Sequence, residues 1–224
     1  MQVLDRNNRE NAREYVARVL KKNIINCTIK PGEMLSENVL AEQLHVSRTP
    51  VREALVELSK LRLIEVIPQK GSMVTMIDYD LAADANFSRK VLEHAIIELC
   101  CAIGDEGDLD RLQENVELQD FYYKRGNYDK LLELDDEFHH QLFILAKKER
   151  VYQHLRDIVI HFDRIRYLSL IAVVDLKAIS DHAAILKAVQ KKNKKQAAEL
   201  MDQHLSRFVM DKEAILKRFP DYII

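Results

Sequence analysis

The sequence predicts a mainly α protein, an N-terminal winged helix-turn-helix followed by an all-α antiparallel helical bundle, and three observations carry that prediction. Between Leu35 and Thr75 the apolar period changes from helical to alternating, as two short helices followed by a hairpin require. Pro31, Pro50 and Pro68 precede residue 69 and none recurs before Pro220, so the later chain can run as long helices. The charge is uneven: residues 1–77 hold 12 Lys and Arg against 9 Asp and Glu, whereas residues 78–224 hold 22 against 27. Two domains are expected, 1–77 and 78–224, and an apolar fraction of 47% is ample for a core in each.

Each element of the first domain has a residue-level reason. Ser36 stands where an N-cap belongs, and Leu40, Ala41 and Leu44 follow at helical spacing. His45 and Val46 make a turn. Ser47 can cap the next helix, whose apolar face is Val51, Ala54, Leu55 and Leu58, with Pro50 tolerated in the first turn because its missing N–H is unpaired there. Arg48, Thr49 and Arg52 remain on the opposite, solvent-facing side. Cations and a hydroxyl at the start of a second helix suit the DNA major groove, where Arg pairs with guanine and a helix N-terminus favours phosphate. Beyond Leu61 the apolar residues Leu63, Ile64, Val66 and Ile67, the turn Pro68-Gln69-Lys70-Gly71, and Met73, Val74, Met76 and Ile77 read as a two-stranded wing. Lys70 at its tip can reach a phosphate or the minor groove.

The run SENVLAEQLHVSRTPVREAL closely resembles the winged helix of GntR-type bacterial regulators, and Ile29-Lys30-Pro31-Gly32 with the helix before it extends the likeness. The resemblance implies DNA contacts by Arg48, Thr49 and Arg52, a phosphate contact by Ser47, and Gly71 as the wing glycine. Two positions depart from the pattern: His45 replaces the usual turn glycine, which requires a left-handed backbone at some cost, and Val39 stands where some relatives place a DNA-contacting Arg.

The basic end is the DNA end, as phosphate steering requires. Its excess of charge is modest, so binding to double-stranded operator DNA is expected to need a homodimer with two half-sites. No apolar run approaches the roughly 20 residues of a membrane helix, and MQVLDRNNRENAR has no hydrophobic signal region. A cytoplasmic protein is expected. Cys27, Cys100 and Cys101 match neither C-x-x-C nor zinc-ribbon spacing and read as core thiols.

In the second domain a polar joint, Asp78-Tyr79-Asp80, precedes a helix from Ala82 to Ala102 that ends near Gly104 and Gly107. Further helices are expected over Leu109 to Lys124, Tyr128 to Lys147, Val151 to Ile171, Leu176 to Lys191 and Lys195 to Phe219. Short connections imply antiparallel neighbours, with the lysine-rich Lys191 to Lys195 turn a solvated helix end. Seven of the eight histidines lie here. Asp135 and His139 are four apart and share a helix face. His182 and His204 lie eleven residues on either side of Asn193, so pairing of the last two helices about that residue brings them to one height. One carboxylate and three imidazoles suit a divalent borderline metal such as Zn, Ni or Mn. The alternative is a set of unconnected surface or hydrogen-bonded core histidines.

Arg89-x-x-Leu92-Glu93, Asp135-x-x-Phe138-His139, His182 and His204 also resemble the FadR C-terminal domain, or FCD domain, that accompanies this winged helix. That resemblance implies metal ligation by Asp135, His139, His182 and His204, and a small carboxylate effector beside the metal. Sugar acids, dicarboxylates, aromatic acids and acyl thioesters all occur among such effectors, and the metal ligands favour a small free acid. Arg89 is the candidate carboxylate anchor, a helix-to-helix salt bridge being the other use of it. Lys148 stands where the family often has Asn at a helix boundary. His140 points about 100° away from His139 and reads as a non-ligand, and Arg164 and Arg166 read as a charged rim.

These residues describe a DNA-binding, ligand-responsive transcription regulator rather than an enzyme, with repression and activation both open. A purely structural metal is the closest alternative. A metal-dependent hydrolase would want a general base, and Glu137 lies off the face of Asp135 and His139.

Overall fold

A computed structural model describes residues 1–103, 106–173 and 177–224, and the chain divides into two compact units. The first comprises Met1–Tyr79 together with Phe219–Ile224, and the second Asp80–Arg218. The C-terminal residues, grouped with the helical domain in the sequence reading, thus belong to the first unit.

In the first unit, α1 (Ala12–Ile25) opens with a reciprocal capping box between Asn11 and Glu14. Its buried Val16, Val19, Leu20 and Ile24 form one wall of the core. Helix α2 (Glu37–Gln43) is capped by Ser36, whose hydroxyl accepts from the Val39 N–H. His45 adopts φ 52°, the left-handed turn expected of it. Helix α3 (Arg48–Lys60) then buries Val51, Ala54, Leu55 and Leu58 against α1.

The wing has three strands rather than two. β2 (Ile64–Ile67) and β3 (Gly71–Val74) form the expected antiparallel hairpin, and β1 (Met34–Leu35) pairs with the other edge of β3, Met34 opposite Met73. Two residues are too few for alternation to register in a sequence, which is why β1 is absent from the prediction. The unit closes with a parallel bridge between Ile77 and Ile223, in which the Ile77 N–H donates to Tyr222 O at 2.8 Å and the Ile224 N–H to Ile77 O at 3.0 Å.

The second unit contains α4 (Tyr79–Ile103, its first residue in the other unit), α5 (Glu106–Tyr123), α6 (Tyr128–Leu145), α7 (Glu149–Ala172), α8 (Lys177–Gln190), α9 (Lys194–Leu205) and α10 (Arg207–Arg218). Sequential neighbours α5 with α6, α6 with α7, and α8 with α9 pack against each other, and α7 also holds α10. Ile97, Leu112, Phe138, Leu142, Phe143, Ile185 and Met201 lie in one continuous core. Gly107 falls inside α5 instead of ending α4; Gly104 and the expected helix start at Leu176 lie outside the described residues.

The expected helix from Lys195 to Phe219 is broken at Ser206. No Gly or Pro causes this. Asn86 on α4 donates to the Leu205 carbonyl at 2.9 Å, and the Ser206 hydroxyl turns back to the Asp202 carbonyl at 2.6 Å, so side chains compete with the helical ladder at that point.

Cys100 and Cys101 are buried, and burial pushes the Cys100 thiol up to about 12. Cys27 differs from the expectation of a core thiol, being half-buried at a left-handed position after α1. No helix among the described residues is long and apolar enough to cross a membrane.

Candidate functional site

Two faces carry the residues singled out by sequence. At the start of α3, Ser47 holds the cap position with extended backbone and makes no side-chain cap bond. Arg48, Thr49 and Arg52 are exposed. Arg48, Arg52, Lys70 and Gly71 line one concavity, between the start of α3 and the wing tip. Gly71 has φ 115°, a conformation that strains any residue with a Cβ, and Gln69 beside it is also left-handed. The structure adds Glu37, which sequence reasoning missed. Its carboxylate accepts from Arg52 Nε at 3.1 Å and Nη2 at 2.9 Å, and from Arg48 Nη2 at 3.3 Å. The Arg52 hydrogen bond, with that of Arg48, holds the Glu37 carboxyl below its usual range against slight burial. Glu37 is fifteen residues from Arg52, beyond the reach of any single-helix spacing rule.

The second face is inside the bundle. Asp135 and His139 come from α6, His182 from α8 and His204 from α9, and one ligand atom of each lies within 4.8 Å of the others. His204 Nε2 is 3.2 Å from His139 Nε2 and 3.2 Å from His182 Nε2, while His182 Nε2 is 3.6 Å from Asp135 Oδ1. The opposite ring nitrogens face acceptors: His139 Nδ1 lies 2.6 Å from Glu93 Oε2, His182 Nδ1 2.8 Å from Gln119 Oε1, and His204 Nδ1 3.5 Å from Asp181 Oδ2. Of these three contacts only that of His182 is a hydrogen bond, His139 Nδ1 and His204 Nδ1 being buried without one, but all three acceptors favour the tautomer with the proton on Nδ1, which leaves lone pairs on the three Nε2 atoms. Those lone pairs then confront each other with no donor between them. A cation at the centre would satisfy all three at once, so the donor set fits a metal ion.

The protonation states agree. Burial, reinforced by Arg89, lowers the His139 pKa, and burial, reinforced by His204, holds His182 well below the ordinary imidazole value. Burial opposes ionisation of Asp135, but Arg166 above all, with His139, His182 and Arg89, outweighs it and keeps that carboxyl well below the usual range. Glu93 is likewise brought to about 2, Arg89 and His139 overcoming its burial.

Three residues around the cluster change the reading of the sequence. Arg166, expected on a charged rim, is inside: it bonds Asp135, Asp136 and Asp163, the last at 2.6 Å, with 11% of its side chain exposed. Arg89 serves the salt bridge, its Nε 2.6 Å from Glu93 Oε1, and also lines a cavity with Asp135, Arg166 and His204. Arg207 lines the same cavity and pairs with Asp181. No sequence signal marks Gln119; Glu93 stood in the Arg89-x-x-Leu92-Glu93 run without a role assigned to it. His140 stacks on Tyr152 with ring centroids 4.4 Å apart, and Lys148 precedes α7 without a side-chain cap bond. Glu137 is exposed and accepts from Gln141.

A winged helix-turn-helix joined to an α-helical unit with a three-histidine, one-carboxylate cluster is the architecture of a two-domain DNA-binding regulator. Residues 12–74 match the family described as bacterial regulatory proteins, gntR family, and residues 84–207 match the FCD domain. The chain is 31% identical over 193 residues to the HTH-type transcriptional repressor RspR of Escherichia coli K12, covering 86% of this chain and 85% of that protein. It is 32% identical over 220 residues to a transcriptional regulator in an unstable DNA locus of Streptomyces ambofaciens, covering 96% and 90%. Among solved structures, a GntR regulator from Rhodococcus sp. RHA1 superposes with a TM-score of 0.72 at 25% identity, over 94% of this chain and 98% of that one. Escherichia coli McbR/YncC, at 21% identity, shares the fold with a TM-score of 0.79 over 94% and 99%. The chain belongs to the GntR family of bacterial transcription regulators and carries an FCD domain.

Arg166 is the cation on which three aspartates depend. Arg166→Ala should destabilise the protein by about 3–5 kcal/mol, the cost of leaving buried carboxylates uncompensated. Urea unfolding measures this, and a loss below about 1 kcal/mol, the scale of an exposed ion pair, would show that water already screens the cluster.

Proposed function

We propose that this regulator is a homodimeric repressor whose affinity for operator DNA is set by a small carboxylate effector. The effector binds at a divalent metal, Zn, Ni or Mn, held by Asp135, His139, His182 and His204. The observation that carries this reading is the convergence of three Nε2 atoms whose Nδ1 partners are all acceptors. Neutral imidazoles with one carboxylate are the donor set of borderline divalent ions. Asp135 and His204 also line the cavity, so one side of the ion would face ligand space; a purely structural metal would call for a closed shell. Arg89 is placed to steady an effector carboxylate at that boundary. Glu137 is exposed and pairs with Gln141 and His140 rather than with the cluster, so it does not serve a hydrolytic reading as general base.

Ser47, Arg48, Thr49, Arg52, Lys70 and Gly71 would contact the duplex, with Arg48 and Arg52 pre-ordered by Glu37. Repression is inferred from the likeness to the Escherichia coli repressor RspR. The helices α4 and α10 are the two through which the helical unit joins the first unit covalently, and both line the ligand cavity through Arg89, Arg207 and Asp211. Their chain ends are bonded together at Ile77 and Ile223, which gives an effector two adjacent levers on the DNA-binding unit. Dimerisation is supported by Phe87, Val91 and Ala95, an exposed apolar stripe at four-residue spacing on α4.

By linkage, an effector that weakens DNA binding must itself bind the operator complex less tightly. Effector titrations with and without operator measure this, and equal affinities would remove effector control. His204→Ala should keep operator binding and lose the effector response; loss of both would mean the cluster is only structural. Arg52→Ala should cost about 1–3 kcal/mol of operator affinity and relax preference at one base position. Uniform weakening across sequences would make Arg52 a phosphate contact instead. Phe87→Glu should shift the protein to monomers in sedimentation and weaken operator binding, whereas an unchanged dimer would place the interface elsewhere.

A further inference from the structure

The three imidazoles of the cluster are not held alike. His139 Nδ1 and His204 Nδ1 face the carboxylates of Glu93 and Asp181, which only accept when ionised, so the chemistry of the partner alone decides where the proton belongs. His182 Nδ1 faces the side-chain amide of Gln119 instead, at 2.8 Å. An amide has an accepting end and a donating end. Turned the other way, Gln119 would offer Nε2 and draw the His182 proton to the opposite ring nitrogen.

Asn115, one turn earlier on α5, removes that freedom. Gln119 Nε2 donates to Asn115 Oδ1 at 2.6 Å, and Asn115 Nδ2 donates to the Leu134 carbonyl of α6 at 3.1 Å. A backbone carbonyl can only accept, so Asn115 turns its NH2 toward Leu134 and its oxygen toward Gln119. Gln119 must then turn its own NH2 to Asn115 and its oxygen to His182. The order runs in one direction, from a main-chain atom of α6 to a ring on α8. Bulk water reaches none of its members, Asn115 being 4% exposed, Gln119 2% and His182 0%. Phe138 stacks on the His182 ring with centroids 4.1 Å apart and planes 22° apart, so the ring plane is held as well.

We propose that Asn115 and Gln119 are positioning residues that fix His182 as its Nδ1-protonated tautomer and so keep its Nε2 lone pair free for the metal. This deepens, and rests on, the metal-site reading above. Without Asn115 the Gln119 amide gains by turning over, because its NH2, otherwise unpaired, then finds an acceptor in His182 Nδ1. His182 Nε2 would carry the proton instead, 3.2 Å from His204 Nε2, which would accept it. The metal-free cluster would satisfy itself, and a cation would have to displace that hydrogen bond. Asn115 thus governs metal affinity from two hydrogen bonds away from the nearest ligand.

Two readouts on the full-length protein test this. Long-range proton–nitrogen correlation spectra of the histidine rings, taken after chelation, report the tautomer, and competition with a chromophoric chelator reports zinc affinity. In the unaltered protein His182 should carry its proton on Nδ1. Gln119→Met, close in volume but without a strong acceptor, should move the proton to Nε2 and lower zinc affinity by about 10–100-fold, the range for losing the partner behind a metal-bound histidine. Asn115→Leu should shift the proton the same way and lower zinc affinity in the same direction. Gln119→Glu, whose protonated carboxyl can donate to Asn115 and still accept from His182, should keep both readouts near those of the unaltered protein. A pair that only packs α5 against its neighbours would lower the unfolding midpoint in these variants with the proton left on Nδ1 and zinc affinity unchanged, and that result would overturn the proposal. If Asn115→Leu fails to fold, the contrast between Gln119→Met and Gln119→Glu decides it. Absence of zinc binding by the unaltered protein would overturn the metal-site reading; the His182 tautomer in Asn115→Leu would still judge the relay, a proton on Nε2 supporting it and one remaining on Nδ1 overturning it.

Discussion

Three imidazoles converge through their Nε2 atoms in a bundle interior, each with its other ring nitrogen facing an acceptor, and with the protons on Nδ1 they have no donor to share among them. That constraint explains much of the second unit. Glu93, Gln119 and Asp181 face the Nδ1 atoms and favour the proton there, and Arg89 and Arg207 in turn balance Glu93 and Asp181. Arg166 and Arg156 balance the aspartates of α6 and α7. All seven helices of the unit give a side chain to this network, so the polar interior specifies their arrangement as much as the apolar core around Phe138 and Leu142 does. Buried charges of this kind add little net stability compared with a hydrocarbon core. What they supply here is a fixed constellation with the chemistry of a metal site, opening on a cavity.

The first unit follows a different economy. Its core is apolar and its charges stand outside, where Glu37 ties Arg52 and Arg48 in a fork at the mouth of a concavity shared with the wing. A guanidinium held in a plane loses less freedom on meeting a base edge than one that rotates freely. The parallel bridge between Ile77 and Ile223 then gathers the entry to α4 and the chain that follows α10 into this same unit.

Much of this was legible in the sequence because it is written in local spacing. The apolar face of α3, the left-handed turn at His45, the hairpin around Gly71 and the pairing of His182 with His204 about Asn193 each depend on residues a few positions apart or on one turn. What sequence reading missed depends on distant partners. Arg166 looked like a rim residue because its aspartates on α6 are about thirty positions away. Glu37 and Gln119 carry no pattern of their own. The break at Ser206 arises from Asn86 on another helix, and β1 and the C-terminal bridge are too short to alternate.

The most direct measurement is an X-ray anomalous difference map, at the absorption edge of the bound metal, from crystals of the full-length protein grown without added chelator. A single ion, bonded by the Nε2 atoms of His139, His182 and His204 and by Asp135 with Nδ1 still facing Glu93, Gln119 and Asp181, is the predicted result. Well-ordered histidines in the same convergence with no anomalous peak, after soaking in zinc, nickel and manganese, would contradict the account and make the cluster a hydrogen-bonded core.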